Sequence, residues 1–222
     1  MEETITILIY IHAFLGGIGL LTGTGSAIVK KGGKSHKKMG TVFSYAMIAS
    51  SLISLVIARM PNHENLFLFL IGIFTIYMVL AGNRALTFKN KRKEKADILD
   101  LTISGIMLTA SIGMFAIGLI GLFQKNETSI LYLFFGVFGA LLTIKDFQMF
   151  MSFSQNKNMW LKNHLGRMIG ALIASFTAFL VAGLHISTLF VWLAPTILGT
   201  LYIVYWKRKL KVKPVAKRNG HQ

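Results

Sequence analysis

The feature that most constrains this chain is a series of seven apolar stretches, each near the roughly 20 residues that a helix needs to cross a bilayer. They cover residues 5–29, 38–58, 65–86, 98–123, 128–150, 165–186 and 188–206. Lipid offers no partners to backbone N–H and C=O groups, so only helices and closed barrels cross it. The stretches lack the two-residue alternation of barrel strands. They predict an all-α, polytopic transmembrane bundle of seven helices.

Composition supports this class and excludes several chemistries. Hydrophobic residues make up 54% of the 222 residues and charged residues only 14%, against roughly 25% charged in a soluble domain. The chain has no cysteine, which excludes disulfides, thiolate metal sites and cysteine nucleophiles. The acidic start at Glu2 and Glu3 does not fit a cleavable signal peptide. We expect one transmembrane domain over residues 1–206 and a basic cytoplasmic tail over residues 207–222.

The positive charges are distributed unevenly between alternate loops. Lys and Arg total 24 against 8 Asp and Glu, a formal net charge of +16, and all of these cations except Arg59 and Lys125 fall in one set of loops and the tail. Cytoplasmic loops carry the Lys and Arg of membrane proteins. This predicts an outside amino terminus and a cytoplasmic carboxyl terminus in the inner (plasma) membrane of a bacterium. The expected partners are the lipid bilayer and anionic lipid head groups at the basic loops and tail, and not nucleic acid.

Polar residues from five predicted helices fall near the cytoplasmic ends of their spans. They are His36, Asn83, Arg84, Asp100, Asp146, His164 and Arg167. Ionisable groups at membrane depth are costly and usually functional. Asp146 is the carboxylate placed inside a span, and it needs a partner. The candidates are Arg84, Lys145, Arg167 and the two histidines.

Two predicted helices also carry a face of small residues. His12, Gly16, Gly19, Gly23 and Ser26 recur at helical spacing in the first span, and Arg167, Ala171, Ser175, Ala178 and Ala182 do so in the sixth. Such faces let two helix backbones approach closely in a membrane. His12 lies about 10 Å inside its helix at 1.5 Å per residue. We expect close helix pairs along both faces, with the histidines able to reach a shared site.

The leading hypothesis is a membrane protein that binds a cofactor for redox (oxidoreductase) or small-molecule chemistry. His36, Asp146 and His164 offer the ligand types of a divalent metal, zinc or iron. Haem b is the other option, held by His36 with His164, or by His12 with His185. The residues proposed to bind a cofactor are His12, His36, Asn83, Arg84, His164 and Arg167. A two-haem arrangement is disfavoured because His164 and His185 are about 31 Å apart along a helix.

Three other interpretations stay open. The same residues would serve a proton- or ion-coupled transporter as relays, with His12 and Asp146 in the path. Arg84, Arg167 and the lysine-rich loops would suit a phosphate or a lipid head group. A structural or sensory membrane protein without a cofactor is the third interpretation. Whether the protein is an enzyme stays undecided.

Several segments together carry a resemblance to a known family. They are His12–Gly16, Lys31–Gly40, Leu80–Leu86, His164–Ala171, Thr177–Phe179 and Val191–Thr196. In this combination the chain resembles a family of bacterial multi-spanning membrane proteins catalogued as a domain of unknown function. The resemblance covers nearly the whole chain. It implies a membrane helical bundle with motif histidines at positions 12, 36 and 164, and it implies no activity. His185 is not part of the pattern.

Overall fold

The fold is that of a helical bundle, seen in a computed structural model that describes residues 2–89, 93, 95–151, 158–186 and 188–211. Its α-helices are α1 (Glu2–Ile28), α2 (Lys34–Ile57), α3 (Leu66–Ala85), α4 (Ile98–Phe123), α5 (Ser129–Met151), α6 (Met159–Ala178) and α7 (Leu189–Lys211). A 3-10 turn, Leu86–Lys89, follows α3, and a π-helical turn, Phe179–Gly183, follows α6. The described residues contain no strand. The all-α prediction is confirmed for this part of the chain.

Six of these helices are long and apolar enough to cross a membrane. They are α1, α2, α4 and α5 alone, and α3 and α6 with the short turns that follow them. The chain therefore has the architecture of a multi-pass integral membrane protein. The helix α7 covers the predicted seventh stretch, 188–206, but it is not among the six. Its crossing of the membrane and the orientation of the bundle stay predictions.

Two helix boundaries differ from the sequence prediction in ways that affect the site. The helix α6 begins at Met159, before the predicted residue 165, so Arg167 lies eight residues, or about 12 Å, inside it. The helix α7 continues to Lys211, into the predicted tail. Lysine and arginine are good helix formers, and the long α7 extends through its cationic end. Residues 212–222 of the tail lie outside the described residues.

The helix α3 lies at the centre of the bundle, packed against α2, α4 and α6. The closest pairs are α1 with α2 and α4 with α5, and α7 packs on α6. Buried side chains from four helices meet around α3, among them Phe43, Phe74, Met78, Met107 and Ala171. Apolar burial alone does not distinguish protein from lipid, so shape and small residues must fix these contacts.

Glycines set the close approaches. A Cβ on Gly136 of α5 would lie 2.7 Å from the backbone nitrogen of Phe115 in α4. On the small-residue face of α1, a Cβ on Gly23 would lie 2.8 Å from the Phe43 ring of α2. The predicted close pairing along α1 is therefore confirmed.

The small-residue face of α6 is confirmed only in part. Arg167, Ala171 and Ser175 are buried, whereas Ala178 and Ala182 are exposed. The backbone changes to a π-helical turn at Phe179. This turn begins directly after Ala178, so the two exposed alanines belong to a part of the chain where the regular face of α6 ends.

Candidate functional site

A buried ion pair stands at the centre of the candidate site. Arg167 Nη2 in α6 donates to Asp146 Oδ1 in α5 at 2.6 Å, and the two side chains are 5% and 4% exposed. The same guanidinium nitrogen donates to the carbonyl of Leu142 at 2.7 Å. Of the partners that the sequence offered for Asp146, the structure therefore selects Arg167.

Two hydroxyl groups complete the surroundings of Asp146. The Tyr77 hydroxyl of α3 donates to Asp146 Oδ2 at 2.5 Å, and the Ser104 hydroxyl of α4 donates to the same oxygen at 3.2 Å. The guanidinium of Arg167 lies 5.2 Å from the centre of the Tyr77 ring. We call Tyr77, Ser104, Asp146 and Arg167 the Asp146 centre. Four helices supply one residue each, and both carboxylate oxygens accept hydrogen bonds.

The pairing explains how the centre tolerates burial. A charge removed from water is costly unless it is paired and hydrogen-bonded. Asp146 meets both conditions, but Arg167 does not meet the second one fully. Its Nε is buried and has no hydrogen-bond partner among the described residues. One N–H donor of the guanidinium therefore lacks an acceptor among the described residues.

A second ion cluster lies where α3 ends and α4 begins. Arg84 Nε donates to Asp100 Oδ1 at 2.7 Å, and Arg84 Nη2 donates to Asp97. Lys93 Nζ donates to Asp100 at 2.6 Å and to Asp97 at 3.0 Å. We call Arg84, Lys93, Asp97 and Asp100 the inner ion network. It ties the end of α3 to the start of α4.

Asp97 also begins α4. Its side chain accepts from the Asp100 backbone N–H while the Asp100 side chain accepts from the Asp97 backbone N–H, which satisfies two otherwise unpaired donors of the first helical turn. Hydrogen bonding from Lys93, with help from the Asp100 backbone and Arg84, lowers the pKa of Asp97 below its usual range. The carboxylate therefore stays ionised at the start of α4.

A cleft joins the Asp146 centre to the inner ion network. Apart from its open mouth it is narrow, with room for about one water molecule. Its polar lining comes from both groups and consists of Arg84, Asp100, Ser104 and Asp146, and its apolar lining includes the aromatic rings Phe88 and Phe150. These two rings stack with their centres 5.9 Å apart. Asp146 is thus buried in protein but borders a small cleft.

The three motif histidines share one arrangement. His12 Nδ1 lies 2.9 Å from the Ser50 carbonyl, His36 Nδ1 lies 3.0 Å from the Ser26 carbonyl, and His164 Nδ1 lies 2.8 Å from the Gly82 carbonyl. Each carbonyl belongs to another helix. An Nδ1 that faces a carbonyl carries the proton, so a neutral ring keeps a free lone pair on Nε2. Metal-binding histidines are commonly oriented in this way.

The structure brings two of these histidines near each other and leaves the third apart. His36 and His164 are close enough for their charges to interact. Ser26, the residue of α1 that His36 contacts, lies 14 residues after His12, or about 21 Å along the helix. His12 binds the Ser50 hydroxyl, also at 2.9 Å. His185, the other residue of the proposed outer pair, lies exposed in the connection before α7.

The predicted metal triad of His36, Asp146 and His164 is not assembled. No group of three or more His, Asp or Glu residues in the described ranges is placed to hold a metal ion. Both oxygens of Asp146 are occupied by Arg167, Tyr77 and Ser104. Two imidazoles remain, which is half of a tetrahedral zinc shell. They match the ligand type of a bis-histidine haem.

The remaining predicted residues have structural partners. The Asn83 amide donates to the Ser44 hydroxyl at 2.9 Å and so joins α3 to α2. Arg84 belongs to the inner ion network. Sequence reasoning missed Tyr77, Ser104, Lys93 and Ser50 as partners in these contacts. For Ser104 a signal was present, because it lies one turn after Asp100 and shares its buried face with Ser111.

Comparison of the chain with protein-family models, with curated proteins and with solved structures gives no match in any of the three. The resemblance to a bacterial family therefore stays a prediction. What the chain does must be argued from the chemistry of the site.

Proposed function

We propose that this membrane protein moves protons, or a solute coupled to protons, with Asp146 as the proton-binding carboxylate. One observation carries the proposal: a carboxylate inside the spanning part of the bundle is paired with Arg167 and also borders a cleft. Ionisable pairs at this depth are typical of proton relays and ion paths.

Protonation of Asp146 would change the forces within the centre. A proton bound to Oδ1 or Oδ2 cancels the negative charge that Arg167 faces at 2.6 Å. Arg167 would then be a buried guanidinium without a counter-ion, which is a costly state. The bundle can lower that cost if Arg167 moves or if α5 and α6 shift. Binding and release of one proton would thus bias two arrangements of the helices.

The cleft offers a route for the proton. Asp100 and Ser104 line it together with Asp146, and the Ser104 hydroxyl already contacts the Asp146 carboxylate at 3.2 Å. A hydroxyl both donates and accepts, so it can pass a proton to the carboxylate. In the proposed orientation, with the amino terminus outside and the inner ion network in the cytoplasm, the cleft opens to the cytoplasm.

The test uses the full chain reconstituted in vesicles that contain a pH-sensitive dye. Under an imposed membrane potential we expect proton uptake, and Asp146→Asn should abolish it. Asp97→Asn is the matched control, since it removes the same charge from the inner ion network and should keep the uptake. Infrared difference spectra recorded with and without the imposed potential should show a carboxyl band that is lost in Asp146→Asn. Equal uptake by the two variants, with no missing band, would contradict the proposal.

A second candidate function is the binding of a cofactor by His36 and His164. It is supported by the contacts of both Nδ1 atoms with backbone carbonyls. These contacts leave the Nε2 lone pair of each neutral ring free to bind a cofactor. When bound, haem b or iron would supply redox chemistry, and zinc would supply a Lewis acid. Purified protein should then show a haem absorbance band or bound zinc or iron. Either signal should disappear in His36→Ala and His164→Ala and persist in His63→Ala, whose ring is exposed.

The orientation and the membrane are part of the proposal and have their own test. Because the chain has no cysteine, one cysteine at a time can be introduced without background labelling. Glu64→Cys should react with a membrane-impermeant maleimide on intact bacterial cells, and Lys37→Cys should react only after the cells are opened. Both positions are exposed. The reverse pattern would invert the proposed orientation.

A further inference from the structure

Three lysines from three helices lie around the start of the helix that carries Arg167. Lys145 belongs to α5, Lys162 to α6 and Lys207 to α7. Lys207 Nζ lies 3.8 Å from the position that a Cβ on Gly166 would take. Its charge is close enough to Lys145, Lys162 and Arg167 to be repelled by all three. We call Lys145, Lys162, Lys207 and Arg167 the lysine cluster.

The three lysines of the lysine cluster have no matching negative charge in the described part of the chain. The ion pairs there use Arg84, Lys93 and Arg167, and none uses the three lysines. Asp146 lies next to Lys145 in sequence, but its oxygens already accept from Arg167, Tyr77 and Ser104. In addition, Arg167 Nε is buried without a partner. The cluster therefore combines uncompensated positive charge with an unused buried donor.

Other cations on this side of the bundle are satisfied differently. Lys31 donates to the carbonyls of Ser26 and Val29 and lies over the rings of Tyr202 and Trp206. Lys209, two residues after Lys207, lies 5.0 Å from the centre of the Trp206 ring. Half-buried Lys207 has like charges around it instead. Lys209 thus has an aromatic partner on its own helix, and the described part of the chain gives Lys207 none.

We propose that the lysine cluster binds a phosphate group. Phosphate oxygens accept several charge-assisted hydrogen bonds at once, which is the need that clustered ammonium and guanidinium groups create. Lys162 lies in the first turn of α6 and Lys207 in the last two turns of α7, at the level where phospholipid head groups meet the cytoplasm in the proposed orientation. The phosphate belongs either to an anionic lipid or to a soluble phosphate. The site does not depend on proton transfer by Asp146.

The test compares phosphate binding by the unmodified chain, by single and double variants of two cluster lysines and by one control variant, all in detergent. Native mass spectrometry counts bound phosphatidylglycerol, with phosphatidylcholine as the neutral-lipid control, and a parallel thermal-unfolding series uses phosphatidylglycerol or inorganic phosphate. Each lysine removed, in Lys162→Gln or Lys207→Gln, should weaken binding about fivefold, and the double variant about 25-fold. Lys209→Gln removes the same charge from the same helix and should change binding less than about twofold.

The outcomes distinguish a lipid phosphate, a soluble phosphate and a general effect of surface charge. Stabilisation by phosphatidylglycerol alone assigns the site to a lipid, and stabilisation by inorganic phosphate assigns it to a soluble phosphate. Equal losses in Lys207→Gln and Lys209→Gln would reduce the effect to general surface charge and overturn the proposal. Absence of binding by the unmodified chain would overturn it as well. The Gln variants keep a flexible polar side chain that is only one atom shorter, and their unfolding without ligand shows whether they fold.

Discussion

The Asp146 centre and the inner ion network are built from the same chemical groups but lie in different surroundings. Each pairs an arginine with an aspartate at nearly the same distance, 2.6 Å for Arg167–Asp146 and 2.7 Å for Arg84–Asp100. The aspartates Asp146 and Asp100 are both buried, at 4% and 1% exposure, but the arginine is 5% exposed in the centre and 25% exposed in the network. Asp97 adds to the network a carboxylate that is 46% exposed. The distances within the ion pairs therefore do not distinguish the two groups. The exposure of their side chains to water distinguishes them.

This difference assigns the two groups different roles. Water screens exposed ion pairs, which contribute only about 0–1 kcal/mol on average. A buried pair contributes little net stability when intact, but losing one partner leaves an unpaired charge that costs about 3–5 kcal/mol. In the described part of the chain, the Asp146 centre is the ion pair whose protonation leaves a fully buried cation, because Arg84 and Lys93 of the network are 25% and 17% exposed and keep Asp97 as a partner. The network is better suited to fixing the ends of α3 and α4.

The largest expected effect is that of Asp146→Asn. We expect a loss of about 3–5 kcal/mol in the free energy of unfolding, because Arg167 stays charged and buried. Denaturant unfolding in micelles measures it. Asp97→Asn, which removes the same charge from the network, should lose far less. If both variants lost the same amount, the comparison between buried and exposed pairs would fail.

A smaller loss is expected when one hydroxyl of the centre is removed. Tyr77→Phe keeps the ring against Arg167 and deletes only the donor to Asp146 Oδ2. Hydrogen bonds to charged groups contribute about 1.5–3 kcal/mol, and the same unfolding assay should show a loss of this size. Tyr45→Phe is the control, since Tyr45 is exposed on α2. A loss no greater than that of the control would show that Ser104 and Arg167 satisfy the carboxylate alone.

How far the sequence predicts this site depends on which physical rule applies. Span length and the distribution of lysine and arginine predict the helices and gather polar residues at one end of the bundle. They also show that Asp146 needs a partner. They do not select Arg167 from among Arg84, Lys145 and the histidines, because that choice depends on which helices face each other. The sequence also predicts that Arg167 lies near the end of its helix, because Lys162, Asn163 and His164 interrupt the apolar residues before position 165.

The predicted metal triad of His36, Asp146 and His164 is not assembled for a related reason. Residues at one depth on different helices need not face one point. Asp146 faces Tyr77, Ser104 and Arg167, whereas His164 faces the carbonyl of Gly82. Tyr77 was missed because a tyrosine in an apolar span is equally compatible with simple packing. The contact between His12 and Ser50 was missed for the same reason.

Replacement of the whole buried pair separates stability from function. Asp146→Leu combined with Arg167→Met removes both charges and leaves no unpaired one. Apolar replacement of a buried pair is often neutral, so the double variant should unfold within about 1–2 kcal/mol of the unmodified chain. Its proton uptake should nevertheless be lost. Uptake that survives in this stable variant would remove Asp146 from the mechanism.

The smallest effect, and the one that separates the two groups most cleanly, is the response of Asp97 to acid. Lys93, the Asp100 backbone and Arg84 lower the pKa of Asp97, so the unfolded chain binds a proton at higher pH than the native chain does. The contribution of Asp97 to stability is therefore present above the ordinary aspartate pKa of about 3.9. It is lost as the pH falls below that value. Unfolding followed between pH 6 and pH 3 should show a shallower acid-side decline in Asp97→Asn than in the unmodified chain. High salt should shrink this difference because Asp97 is exposed, and it should leave the cost of Asp146→Asn nearly unchanged because both side chains of that pair are buried. Equal salt dependence at both sites would mean that the Asp146 centre is as accessible as the network, and the argument for a proton-driven change in the bundle would fail with it.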